Sequence, residues 1–388
     1  MQDHGTAGTD LLVGLVKRSP VLAELRSGRL DRREFGRRLD VSIATSYRLA
    51  GWLTERDLIA DSDGAFALTA LGEVIADVAS GFETDVRTAL RPAAATPDLL
   101  ADLIRYSAML EALGEEPLDR RELERRLNVS RATSHRYTRS LEELNAIERA
   151  DGGFALTALG AAVTDAVSTF ETNARIALTL APVLEAIRET TPDFDIGVFA
   201  DATVTSAEHG DAYGPMARFV SLLEETETVR GFDTFSIAPT YVGEFQQRIL
   251  DGMETEIIDP PAVTENVMDN YPEKCVQVCA SEHFALLIHD DLPYGLVIFD
   301  DRVGIGVRET DARTLRAFVD TDSAAAREWA EAVYGFYRQK AVRLETFTKK
   351  GLREAMAAAR RGDRAHVVGA VQHLPGSARR GTATRDNS

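Results

Sequence analysis

Cysteine is nearly absent from this 388-residue chain, with only Cys275 and Cys279 present. Two thiols cannot staple a scaffold, and their scarcity suits a reducing compartment. Placed on one strand, they would sit about 13 Å apart at Cα and could not bridge without rearrangement. They read as small buried hydrophobes, with a redox pair as the alternative. Long apolar runs are also missing. No stretch approaches the ~20 residues that span a bilayer, and residues 1–10 are polar and carry acids rather than a secretory pattern. The expectation is a cytoplasmic protein with no membrane partner. Catalytic signatures are lacking too: there is no G-x-S-x-G, no P-loop and no H-E-x-x-H. Asp290-Asp291 and Asp300-Asp301 are paired carboxylates near His283 and His289, but their spacing fits no metal or acid/base motif. They read as solvated turn acids. The chain is expected to be no enzyme and to need neither cofactor nor metal.

Lysine is scarce as well, with five residues (Lys17, Lys274, Lys340, Lys349, Lys350) among 44 basic ones, and the net charge is −18. Taken whole, that charge argues against nucleic acid. Its distribution argues otherwise: about −6 over residues 1–180, −18 over 181–348 and +6 over 349–388. An acidic, Arg-rich, Lys-poor composition resembles that of halophilic proteins. At about 1 M salt the Debye length is about 3 Å, so net charge says little about close contacts.

What the chain does have is a repeat. The 43 residues from Leu30 and the 43 from Leu118 align without a gap, with about 26 identities, and the match resumes at Phe82-Glu83-Thr84 and Phe170-Glu171-Thr172. An offset of 88 residues is domain-sized. Leu11, Leu12, Leu15, Val16, Leu22 and Leu25 form a helical stripe. Asp31 is placed to cap a second helix and Ser42 a third, after the turn Asp40-Val41-Ser42. Short strands flank Asp61-Ser62-Asp63-Gly64, and Thr69-x-x-Gly72 opens a fourth helix. The second copy repeats the pattern.

This order, with the string V-S-x-x-T-x-x-R at Val41-Ser42, Thr45 and Arg48 and again at Val129-Ser130, Thr133 and Arg136, resembles winged helix-turn-helix regulators. The resemblance implies that the third helix of each copy enters a DNA major groove by its N-terminal end. Ser42, Thr45, Tyr47 and Arg48 are the candidates in copy one. Ser130, Arg131, Thr133, His135, Arg136 and Arg139 are those in copy two. Arginine reads guanine with two hydrogen bonds, whereas serine and threonine at a helix start suit phosphates. Arg32, Arg33, Arg37 and Arg38, with Arg120, Arg121, Arg125 and Arg126, serve either as backbone contacts or as a solvated face. Asp61, Asp63 and Asp151 repel phosphate, so the wings are expected to contribute little. By charge copy two is the better reader. A tandem pair supplies both readers from one chain or, as a homodimer, spans a larger operator. The alternative is a winged-helix protein–protein module that does not read DNA.

Beyond about Pro182 the pattern changes. Strands are expected at 195–199, 234–237, 255–258, 275–279, 284–288, 294–299 and 303–307, and helices at 241–252, 260–271 and 324–347, which gives an α/β or α+β domain. Leu292-Pro293-Tyr294-Gly295-Leu296, Phe299-Asp300-Asp301-x-Val303-Gly304-Ile305-Gly306, and Trp329-Ala330 followed by Tyr334 and Tyr337 resemble the archaeal regulators with a methanogenesis-regulator middle domain. That family implies a sensory or interaction role. This chain departs from its usual pattern by carrying two winged helices. Tyr241, His283, Tyr294 and Trp329 are candidate lining groups for a small-molecule effector. The expected layout is winged helix-turn-helix units at 8–92 and 96–180, mostly α with short β wings, a sensory domain at 181–348, and a basic tail at 349–388 that continues as helix and then loses order.

Overall fold

The computed structural model describes residues 4–90, 95–150, 152–207, 211–232, 242–308, 315–345, 350–351 and 353–354. The first repeat folds as α1 (His4–Arg26), β1 (Leu30–Asp31), α2 (Arg32–Arg38), α3 (Ile43–Thr54), β2 (Ile59–Ser62), β3 (Ala65–Leu68) and α4 (Ala70–Leu90). The second follows as α5 (Pro97–Arg105), α6 (Ser107–Glu115), α7 (Arg120–Leu127), α8 (Arg131–Glu143), β4 (Ile147–Ala150), β5 (Gly153–Leu156) and α9 (Ala158–Thr190). The single helix α1 becomes two in the second copy, broken at Tyr106, which ends α5 and precedes α6.

Matched local chemistry produces this match. Asp31 accepts from the backbone of Arg33 and Glu34, and Asp119 does the same for Arg121 and Glu122, so α2 and α7 begin alike. Asp40 and Asn128, then Asp57 and Asn145, take left-handed backbone at equivalent turns, a conformation that Asp and Asn tolerate better than most. Thr69 and Thr157 each accept from the amide three residues on, at 3.0 Å. Gly72 and Gly160 face the carbonyl oxygens of Leu58 and Ala146, where a Cβ would lie 1.9 Å away. Glycine is required there because the fourth helix starts against the strand before the hairpin.

The C-terminal part carries an eight-stranded mixed sheet. A 3-10 turn (Ile196–Phe199) is followed by β6 (Thr203–Ser206), α10 (Gly214–Glu225), β7 (Thr228–Phe232), α11 (Val242–Leu250), β8 (Glu254–Asp259), α12 (Pro261–Asn270) and α13 (Pro272–Cys279). Then come β9 (Phe284–Ile288), β10 (Gly295–Ile298), β11 (Val303–Arg308), β12 (Leu315–Thr321), α14 (Ala324–Arg338) and β13 (Val342–Arg343). The strand order is β13-β9-β8-β7-β10-β11-β12-β6. β7, β8 and β9 are parallel and joined by helical crossovers, and the other pairings are antiparallel. Leu296 and Ile298 of β10 join the core under α14, while Val297 and Phe299 face α10. On β11 the glycine between Val303 and Ile305 leaves room for the Phe318 ring; a Cβ on Gly304 would lie 2.3 Å from it. Asp320 is fully buried and is held by Arg218 (2.8 and 3.0 Å) and Arg302 (2.7 Å).

Three expected elements differ. Residues 195–199 form the 3-10 turn instead of a strand: Asp195 accepts from the Gly197 amide at 2.8 Å, and Phe194 and Phe199 both pack on Trp329. Residues 275–279 are helical, because Pro272 opens α13 and tertiary packing overrides the β-branched valines. The cysteines therefore stand one helical turn apart, not about 13 Å; both are free, and burial pushes both thiols up. The last long helix stops at Arg338, and the chain returns as β13 to pair Val342 with Ile288. The strand expected at 234–237 and nearly all of the basic tail lie outside the described residues. α9 runs without a break through residue 181, so the boundary expected there falls inside a helix.

Candidate nucleic-acid interface

Helices α3 and α8 carry the candidate base readers, and the same cap orients both. Ser42 accepts from the Thr45 amide at 3.2 Å and shares a 3.0 Å hydrogen bond with the Thr45 hydroxyl. Ser130 and Thr133 repeat both contacts at the same distances. These four hydroxyls serve the caps first, which fixes where the next residues point. Ser46 and Ser134 turn inward and are buried. Tyr47 and Arg48, and likewise His135 and Arg136, turn outward.

The outward residues differ in how free their charge is. Arg48 donates to the Thr45 hydroxyl at 3.3 Å. Arg136 lies 5.3 Å from the centre of the Tyr137 ring. Neither these two nor Arg131 makes an ion pair among the described residues. Arg139 is exposed but tied to Glu143 at 2.8 Å, a contact that raises its pKa. In copy one, Ile43 and Tyr47 are 77% and 59% exposed, an apolar surface where copy two has Arg131 and His135.

The preceding helices are more neutral than a count of arginines suggests. Arg32 pairs with Asp61 on the β2–β3 hairpin. Arg37 and Arg38 share Glu34 at 3.0 and 3.1 Å. Arg125 lies 3.9 Å from Glu122, and Arg126 pairs with Glu115 and Glu116. Arg33 and Arg121 keep no such pair among the described residues. A cavity of about 570 Å³ lies between α2 and α3, lined by Arg32, Arg33, Arg37, Ser42 and Tyr47 among others. The first hairpin turns on Asp63 and Gly64, both at positive φ, which makes a short tip.

The candidate effector groups among the described residues each have partners of their own. His283 is hydrogen-bonded to Glu254 at 2.7 Å at the start of β9. Tyr294 is buried against Phe232, and burial pushes its phenol up. Trp329 packs against Phe194 and Phe199, which also touch each other. Tyr241 lies outside the described residues. Asp300 is no free turn acid: its carboxylate accepts from the amides of Glu227 (2.6 Å) and Thr228 (3.0 Å) and from the Thr228 hydroxyl (2.6 Å). Burial works to raise its pKa, but these bonds prevail and hold it below the ordinary range.

A second cavity, about 660 Å³, opens where the repeats meet the sheet, between α1, α6, α9 and the β6–β12 edge. Leu12, Ser107, Glu111, Glu171, Arg175 and Arg316 contribute to its wall. Burial raises the Glu171 carboxyl; a hydrogen bond with Ser107 works against this and neighbouring Glu111 adds to it. Sequence reasoning missed this cleft because its residues come from distant segments and form no motif.

Comparison with known proteins places these parts. The HVO_A0261 N-terminal domain family matches residues 6–91 and again 95–178. The middle domain of the methanogenesis regulatory protein FilR1 matches residues 212–340. No curated protein matches the chain. Among solved structures, TrmBL2, an archaeal chromatin protein with a novel mode of DNA binding, is 14% identical, with 61% of this chain and 91% of that one covered at a TM-score of 0.31. Nuc, a phospholipase D family member from Salmonella typhimurium, is 12% identical, with 37% and 98% covered at a TM-score of 0.28. The chain therefore carries, in order, two regions similar to the HVO_A0261 N-terminal domain family and one similar to the middle domain of a methanogenesis regulatory protein.

Proposed function

We propose that the protein is a sequence-specific regulator that binds double-stranded DNA through two winged helix-turn-helix units, with no catalytic role. The observation that carries this reading is the exposure of Arg48 and Arg136 at the same position of two identically capped helices, each without an ion pair among the described residues. Arginines so placed meet base edges when the helix end enters the major groove. The C-terminal domain is read as the part that senses an effector or mediates oligomerisation. The cleft between the repeats and the sheet supports this, since a ligand there would touch both at once.

The second reading is a protein–protein module, favoured by exposed Ile43 and Tyr47 on α3. Sequencing of DNA recovered genome-wide with the tagged protein separates the two. Under the DNA reading, sharp peaks share a motif and vanish in the Arg48→Ala/Arg136→Ala double variant, while the fold, followed by thermal melting, is retained. Featureless recovery, equal for both proteins, sinks the reading and leaves the protein–protein module.

A further inference from the structure

The two repeats do not stack like beads; each meets the other through its own counterpart. Phe82 of α4 and Phe170 of α9 occupy equivalent positions 88 residues apart, and their rings stack with centroids 4.8 Å apart and planes 25° apart. Both are buried. Arg188, near the end of α9, pairs at 2.5 Å with Glu73, near the start of α4, so the two helices run antiparallel. A second self-contact joins α1 to α5. Leu11, Leu12, Leu15 and Val16 of α1 correspond to Leu99, Leu100, Leu103 and Ile104 of α5, and Lys17 bridges to Asp98 at 3.0 Å. A residue packs on its own equivalent only where a near-two-fold rotation relates the copies, as at an isologous dimer interface. A head-to-tail repeat would set different patches against each other. The face through which one such unit would find a partner is thus already covered within the chain.

We infer that one chain is a covalently linked pseudo-dimer that reads, as a monomer, an inverted pair of unlike DNA half-sites. This rests on the DNA-binding reading above. A two-fold relation turns the recognition helices into opposite directions, which calls for inverted half-sites. The halves differ because the helices differ. Both helices carry the equivalent arginine, Arg48 or Arg136; beside it, exposed Ile43 and Tyr47 on α3 suit thymine methyl groups, whereas on α8 Arg131, in the place of Ile43, suits guanine.

The test is selection of bound duplexes from a random pool by the full-length protein, with the stoichiometry of the selected complex read by analytical ultracentrifugation. The expected motif is a pair of unlike half-sites about one helical turn, ~10 bp, apart, one rich in T and one in G, with one chain per duplex. The exposed-site variant Ile43→Arg/Tyr47→His puts on α3 the side chains that α8 carries at Arg131 and His135. It is expected to melt like the parent and to prefer a duplex with two G-rich halves by about tenfold or more. A direct repeat, identical halves in the parent motif, or two chains per duplex overturns the pseudo-dimer and leaves DNA binding standing. Selection of no motif overturns both.

Discussion

Among individual side chains, Glu256 shows how a charge is kept inside the sheet domain. It lies on β8 and accepts from Nε and Nη2 of Arg338, at 2.6 and 2.9 Å, and from the Tyr334 hydroxyl at 2.5 Å. Burial works to raise its pKa, yet the bonds from Arg338 and Tyr334 prevail and the folded value lies below the ordinary one. The stability it contributes is therefore complete above the ordinary glutamate pKa of about 4.3 and is lost as pH falls through the lower folded value. Urea unfolding at pH 7 and below pH 4 should show Glu256→Gln less stable than the parent at pH 7, with a shallower loss on acidification. Parallel acid profiles would mean that other carboxylates set the acid limit. Arg136 and Arg139 make the complementary point on the candidate interface. Both were candidates from sequence, but a carboxylate one turn away occupies Arg139 and leaves Arg136 without an ion pair among the described residues.

For the secondary-structure elements, what the sequence made legible was what is decided locally. The caps at Asp31, Ser42 and Ser130, the hairpin turn at Asp63-Gly64 and the helix start at Thr69 are short-range hydrogen bonds between near neighbours, and each stands where the sequence placed it. Residues 195–199 and 275–279 were misread as strands because a short apolar run does not show its period; neighbours in space chose a turn and a helix. Gly72 and Gly160 illustrate the limit in another way. Their place in the pattern was visible, but not the carbonyl against which they pack. Gly160→Ala should therefore lower stability by about 1–3 kcal/mol through overpacking, although alanine is the better helix former. Gly335→Ala, inside α14 with open space around it, should instead raise stability by about 0.5–1 kcal/mol. Thermal melts of the two variants settle this, and equal shifts of one sign would refute the steric account.

Over the whole molecule, charge and connectivity matter more than any single contact. The −18 net charge sits in a fold where, among the described residues, the fully buried acid Asp320 is paired with Arg218 and Arg302, so the surplus is largely nearer the surface. Self-repulsion of that kind weakens as salt screens it. Between about 0.1 and 1 M KCl the Debye length falls from ~10 to ~3 Å, and the melting temperature should rise across that range. A flat or falling melt would remove the halophilic reading of the composition. Connectivity runs through α9, which begins beside the second hairpin, stacks on α4, and ends against the sheet. It is also a wall of the cleft that holds Glu171, Arg175 and Arg316, so a group bound there touches the helix that joins both parts.

By itself the sequence determined the repeat, the helix order within each copy and the positions of α3 and α8. These follow from periodicity and from caps and turns a few residues long, and the 88-residue self-similarity made each of them visible twice. Tertiary structure alone decided the rest: which arginines meet a carboxylate, the Phe82–Phe170 stack that relates the copies, the run of α9 through the expected boundary, and the cleft at the junction. Each depends on residues far apart in the chain meeting in space, and no local pattern encodes which partner a side chain will find.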